Sequence, residues 1–152
     1  MSKNAVLIPI LLIFISAASF AREEIWIAPI TEINRYSVSG VAAGGGISIG
    51  YGEGFAFGLR KLYNMAMDEV TTLELTVFLR LYFFDGHSGL FAQMNWGPAL
   101  FFEEDYDMKW MLSASFGIGW RFLINDNWYV EPLVRGGFPF LVGAGVSLGF
   151  RF

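Results

Sequence analysis

From about residue 24 onward, apolar side chains recur at every second position. In "LSASFGIGWRF", Leu112, Ala114, Phe116, Ile118, Trp120 and Phe122 share one face, and Ser113, Ser115, Gly117, Gly119 and Arg121 share the other. "TLELTVFLRLYF" repeats the rhythm: Leu73, Leu75, Val77, Leu79, Leu81 and Phe83 alternate with Thr72, Glu74, Thr76, Phe78, Arg80 and Tyr82. In "WYVEPLVRGGF", Trp128, Val130, Pro132 and Val134 oppose Tyr129, Glu131, Leu133 and Arg135. Alternation of this length specifies β-strands, because a helix would scatter these residues around its circumference. The pattern predicts eight strands, at 24–31, 40–51, 55–64, 71–83, 89–102, 110–123, 128–138 and 142–152. The connections 51–54, 84–88 and 124–127 are tight and rich in Gly, Asp and Asn, as hairpin turns require. The others, such as "NMAMDEVT" and "EEDYDMK", are longer or more acidic, and "PFL" after Phe138 is short and apolar. No linker or low-complexity run divides the chain, so residues 22–152 read as one domain.

Composition narrows the solvent. The chain has 152 residues, of which 55% are hydrophobic and 16% charged, too apolar for disorder and rich for a soluble domain. Eighteen Gly and an 18% aromatic share agree with strands over helices. The absence of Cys excludes disulfides, thiol catalysis and Cys-ligated metals, and a single His disfavours a histidine-built metal site. At the N-terminus, Lys3, the apolar stretch "AVLIPILLIFISAA" and the small residues of "SFA" ending at Ala21 form the pattern of a secretory signal peptide over 1–21. Its removal leaves 131 residues with nine Lys and Arg against fourteen Asp and Glu, which is no footprint for nucleic acid.

Two closed sheets suit this pattern. A lipocalin-like barrel, a soluble carrier of hydrophobic ligands, turns its apolar face inward. A membrane barrel turns the apolar face to lipid and fills its lumen with the polar one. The second is favoured on three grounds. The apolar face is unbroken in the clearest strands, while the other carries Gly, Ser, Thr, Gln93, Asn95 and isolated charges. Aromatic residues mark strand ends in two sets: Tyr63, Phe102, Trp110 and Phe138 at one rim, and Tyr51, Phe83, Phe122, Trp128 and Phe152 at the other. An even number of strands places both termini on one side, with short turns there and longer loops opposite.

The last residues carry a further pattern. In "VGAGVSLGFRF", Val146, Leu148, Phe150 and Phe152 alternate with small or polar residues up to the final position. This stretch resembles the C-terminal assembly signal of bacterial outer-membrane barrels, and the chain from 22 to 152 resembles the small eight-stranded OmpA/OmpX-like barrels in length and strand spacing. It departs from OmpA in having no periplasmic peptidoglycan-binding domain. The resemblance implies insertion into the outer-membrane lipid by the barrel assembly machinery, which would recognise Val146, Leu148, Phe150 and Phe152.

Hairpin geometry predicts which charges meet inside. A three-residue turn at Asn125–Asn127 sets Arg121 opposite Glu131 and Gly117 opposite Arg135. A three-residue loop at Pro139–Leu141 brings Arg151 diagonal to Glu131, and a five-residue loop at Met65–Glu69 pairs Arg60 with Glu74. Arg80 then lies near Gln93 or Asn95. This inward set holds more Arg than Glu, an excess that leaves room for an anion or lipid phosphate near one end. The set reads as a polar plug, since eight strands leave an interior only just wide enough for side chains.

Other candidate chemistry reads as surface. His87, Asp85 and Ser88 crowd one turn, which does not place a base between nucleophile and acid. Glu103, Glu104, Asp105 and Asp107 form an acidic loop without EF-hand spacing. The glycines of "VAAGGGISIG" lack a strand–loop–helix context for phosphate and read as packing or curvature sites. The expectation is therefore an integral outer-membrane barrel with a structural or surface-interaction role, an unidentified surface ligand at most, no cofactor and no catalysis. A narrow channel and a soluble carrier are the alternatives.

Overall fold

The computed structural model describes residues 24–36, 40–66, 70–84, 88–103 and 106–152, with the side chains of 103, 106 and 107 excepted. The proposed signal peptide, Asp85 and His87, and the acidic side chains of Glu103, Glu104, Asp105 and Asp107 lie outside them. Eight antiparallel strands follow in order: β1 (Ile25–Arg35), β2 (Val41–Tyr51), β3 (Phe55–Ala66), β4 (Thr71–Tyr82), β5 (Gly89–Glu103), β6 (Tyr106–Leu123), β7 (Trp128–Phe138) and β8 (Val142–Arg151). Each pairs with the next, and β8 returns to β1 with Ile27 opposite Phe150 and Arg35 opposite Val142, closing the barrel. The Phe152 amide donates to the Ile25 carbonyl at 2.9 Å, so the pairing runs to the final residue. Closure leaves no sheet edge between the two rims, the condition that hydrocarbon imposes on a spanning sheet.

Two strands run four residues further than the sequence pattern predicts. β1 continues through "TEINR" to Arg35, because Glu32 and Asn34 are inward positions of the same alternation and Ile33 an outward one. β6 begins at Tyr106 and outlasts β7, whose pairing with it starts only at Ala114 opposite Phe138. The β5–β6 hairpin therefore projects above the rim.

The apolar face points outward. On β6, Phe116 and Ile118 are each 52% exposed while Ser113 is fully buried and Arg121 nearly so. Phe57, Leu59, Val134, Val146 and Leu148 are likewise exposed on their own strands. This is the reverse of a lipocalin-like carrier, and a continuous apolar wall of this kind is stable only against an apolar medium. Near the turns, Phe83, Phe122, Trp128 and Phe152 are exposed. Near the opposite rim, Tyr63, Phe102, Trp110 and Phe138 are exposed. Trp128 and Phe150 meet edge-on at 5.0 Å, as do Phe150 and Phe152.

The filled lumen as candidate functional site

The inward face is built in two tiers. The lower tier, nearer the turns, is aromatic. Trp26 stacks on Phe78 at 5.5 Å and meets Tyr129 edge-on at 6.3 Å, while Tyr82 packs on Phe91 at 5.6 Å. These rings occupy positions that the period-two pattern assigns to the polar side, and small residues make room for them. A Cβ at Gly149 would overlap the Tyr129 ring, and one at Gly50 the Trp26 ring. Two guanidinium groups lie among the rings. Arg80 sits 4.0 Å from the centre of Phe91 and 4.7 Å from Trp26, and Arg121 lies 3.9 Å from Tyr129. Ring faces attract cations, most strongly where water is excluded.

Glu131 joins the two cations. Its Oε1 accepts from Arg121 Nε at 2.5 Å and from Arg80 Nη1 at 2.7 Å, and Ser147 donates to its Oε2 at 3.4 Å. Arg80 also donates to Gln93 Oε1 from Nε and Nη2, at 2.8 and 2.6 Å. Gln93 Nε2 donates to Asn95 Oδ1 at 2.6 Å, and Asn95 Nδ2 to Ser115 Oγ at 3.1 Å. That amide–hydroxyl run leads to the upper tier. There Arg135 donates from Nε to Glu32 Oε2 at 3.0 Å and from Nη2 to Glu74 Oε2 at 2.8 Å. Arg60 pairs with the other oxygen of Glu32, and Asn34 links Glu32 to Asn64. Phe140 turns inward from the β7–β8 connection, is buried, and covers Arg135 at 5.4 Å.

The register explains which expected pairs form. β6 and β7 set Gly117 opposite Arg135, β4 and β5 set Arg80 opposite Gln93, and the Arg121–Glu131 pair is made. The expected Arg60–Glu74 pair is not. Met65 faces Thr71 and the Ala66 amide bonds the Val70 carbonyl, so β3 and β4 are offset by two residues and Arg60 faces Thr76. Arg60 then takes Glu32, and Glu74 takes Arg135 from across the lumen. Arg151 does not reach Glu131 either. Inward folding of Phe140 consumes residues beyond Gly136, which pairs with Val142, so Glu131 faces Ser147. Arg151 instead closes the turn-end mouth, with Nη1 3.1 Å from Glu24 Oε1 and Nε on the Asp126 carbonyl.

Glu24 and Glu32 were missing from the sequence-based set, and they remove most of its Arg excess. The five guanidiniums of Arg60, Arg80, Arg121, Arg135 and Arg151 meet carboxylates at Glu24, Glu32, Glu74 and Glu131. Arg121 still has both Nη groups, and Arg60 its Nε and Nη1, buried without a hydrogen-bond partner among the described residues. The signal for Glu32 was present in its alternation with Ile33. Between the two tiers lies a cavity of about 20 Å³ lined by Glu32, Arg60, Arg80, Gln93, Glu131 and Ser147 among others. That volume suits about one water and is not a path.

No family model matches the sequence, and no curated protein does. Solved structures do match. The N-terminal β-barrel domain of Pseudomonas aeruginosa OprF aligns with a TM-score of 0.64 at 18% identity, over 87% of this chain and 99% of that one. It has the fold of a small outer-membrane barrel. The outer membrane protein OprG of P. aeruginosa aligns with a TM-score of 0.62 at 10% identity, over 87% and 97% of the two chains. Neisserial surface protein A (NspA) aligns at 0.56 and 13%, over 86% and 97%. At these identities the likeness is one of architecture: strand number, closure and direction carry over, and side-chain roles do not. The barrel's ionic lattice rests on its own residues.

Proposed function

We propose that the chain is an integral outer-membrane protein, exported by a signal peptide at 1–21, whose barrel spans the membrane as a closed, non-conducting cylinder with a structural or surface-interaction role. The single observation that carries this reading is the pairing of an apolar exterior, interrupted by a charge between its aromatic rows only at Lys61 among the described residues, with an interior filled by rings and ion pairs. On this reading Val146, Leu148, Phe150 and Phe152 present the β8 signal to the barrel assembly machinery before β8 pairs with β1. The projecting β5–β6 hairpin, with Met108 and Trp110 exposed, supplies the surface for any partner outside the cell. Arg60, Glu74, Arg80, Arg121, Glu131 and Arg135 act together as the plug, and Arg151 closes its mouth with Glu24.

The test is a pair of measurements on one preparation. Folded protein in detergent should migrate differently before and after boiling, and in planar bilayers it should give no steady single-channel steps. Regular conductance steps would replace the plug with a narrow channel. Recovery in the aqueous phase without detergent would overturn the membrane reading.

A further inference from the structure

Lys61 breaks the outward pattern. It is exposed on the lipid-facing side of β3, between Ile47 of β2 and Leu75 of β4. Among the described residues it is the one charged side chain on that wall between the two aromatic rows, Arg35 standing at the rim. No hydrogen bond or ion pair holds its amine among the described residues. The residue lies two positions below Tyr63, about 7 Å along the strand, so its four-carbon stem can lift the amine to the interfacial row at the loop end.

The surface beneath that amine is grooved. A trough of about 600 Å³ starts at Lys61 and runs between Leu59, Leu75, Trp96 and Pro98. It adjoins a second trough of about 680 Å³ that shares Ile49, Leu59, Val77 and Trp96 and continues to Tyr51 and Ile25, at the turn-end row. A cation at the interface above a long apolar furrow matches a molecule with a phosphate at the interface and acyl chains pointing to the bilayer centre. Ordinary annular lipid needs the furrow but not the ammonium.

The geometry points to a specific lipid site on the barrel's outer wall, in which Lys61 binds the phosphate of a phosphorylated glycolipid of the lipid A class and the β2–β5 furrow takes one of its acyl chains. The glycolipid rests on the outer-membrane reading above, which makes the loop-end leaflet the external one. Lys61 contributes a charge-assisted hydrogen bond to a phosphate oxygen where water is scarce. Trp96 supplies the apolar wall.

The experiment uses the barrel folded in mixed micelles, with native mass spectrometry counting retained lipid. The probes are diphosphoryl lipid A, its dephosphorylated form, and phosphatidylglycerol. One lipid A should survive on the wild-type barrel, and K61M should weaken retention roughly tenfold, the loss of one charged hydrogen bond. K61R should hold it, and the dephosphorylated probe should bind wild type no better than K61M. Equal retention by wild type and K61M overturns the site, as does equal retention of the two forms of lipid A or phosphatidylglycerol held as tightly. Those comparisons assume insertion, so vesicle insertion is measured in parallel. A barrel that inserts without Lys61-dependent retention refutes the lipid site alone, whereas one that does not insert refutes it together with the membrane reading.

Discussion

Replacing Glu131 with alanine removes the carboxylate on which Arg80 and Arg121 converge. Both guanidiniums are nearly fully buried, and Glu131 is 2% exposed. The other interior carboxylates, Glu32 and Glu74, are engaged by Arg60 and Arg135 in the upper tier. The variant therefore leaves two cations in the lower tier with ring faces, Gln93 and Tyr82 as their remaining partners. Removing one partner of a buried ion pair costs about 3–5 kcal/mol, because the surviving charge stays desolvated. Ring contacts were present before the change and add nothing new to offset it. E131A should thus lose about 3–5 kcal/mol in the unfolding equilibrium from lipid vesicles, followed by tryptophan fluorescence in urea. E131Q keeps the shape and one acceptor oxygen and should lose less. In a cycle with R121M, the double variant should recover about 1–3 kcal/mol relative to the sum of the two changes, since one of the two orphaned cations is gone. A loss below about 1 kcal/mol for E131A, or additivity in the cycle, would refute the claim that this carboxylate organises the lower plug.

Three further expectations follow from the same geometry. Phe116 lies on the outer wall midway between Trp110 and Phe122 on β6, so F116R should cost about 2–4 kcal/mol and F122R about 0–1 kcal/mol, and equal costs in vesicle unfolding would reject the assigned membrane depth. G149V pushes a side chain into the Tyr129 ring and should destabilise by about 1–3 kcal/mol, whereas G54A, in an open turn position, should act through its positive φ of 70° alone and leave the lumen-packing signal of near-ultraviolet dichroism unchanged. F152A should lower the yield of folded barrel in the outer membrane of growing cells while leaving the unfolding midpoint of detergent-refolded protein nearly unmoved, since this ring is 74% exposed; a midpoint falling in step with yield would make its role structural.

Strand positions were legible because a period of two is imposed locally by the pleat, and every clear run of it became a strand. Hairpin partners were legible where a short polar turn fixed the register, as at Asn125–Asn127 for Arg121 and Glu131. They were not where the connection spends residues on packing, as Phe140 does, or where a pairing extends toward the turn, as at Ala66 and Val70. The long-range half of the lattice has no counterpart in neighbouring sequence. Arg135 on β7 meets Glu32 on β1 and Glu74 on β4, and Arg80 on β4 meets Glu131 on β7, because an arginine stem spans a lumen that only closure creates. The buried rings were hidden for another reason. Phe78 and Tyr129 stand at positions where polarity was expected, and it takes Gly58 and Gly149 opposite them to show that the space was kept for aromatics.

Arg135 finds Glu32 and Glu74 only when β1, β4 and β7 surround one axis. A sheet still open on its way into the bilayer would carry those ions toward acyl chains with no mate in reach. The crossed pairs thus reward a finished cylinder over every partial one, and act as a latch that engages when the last strand meets the first.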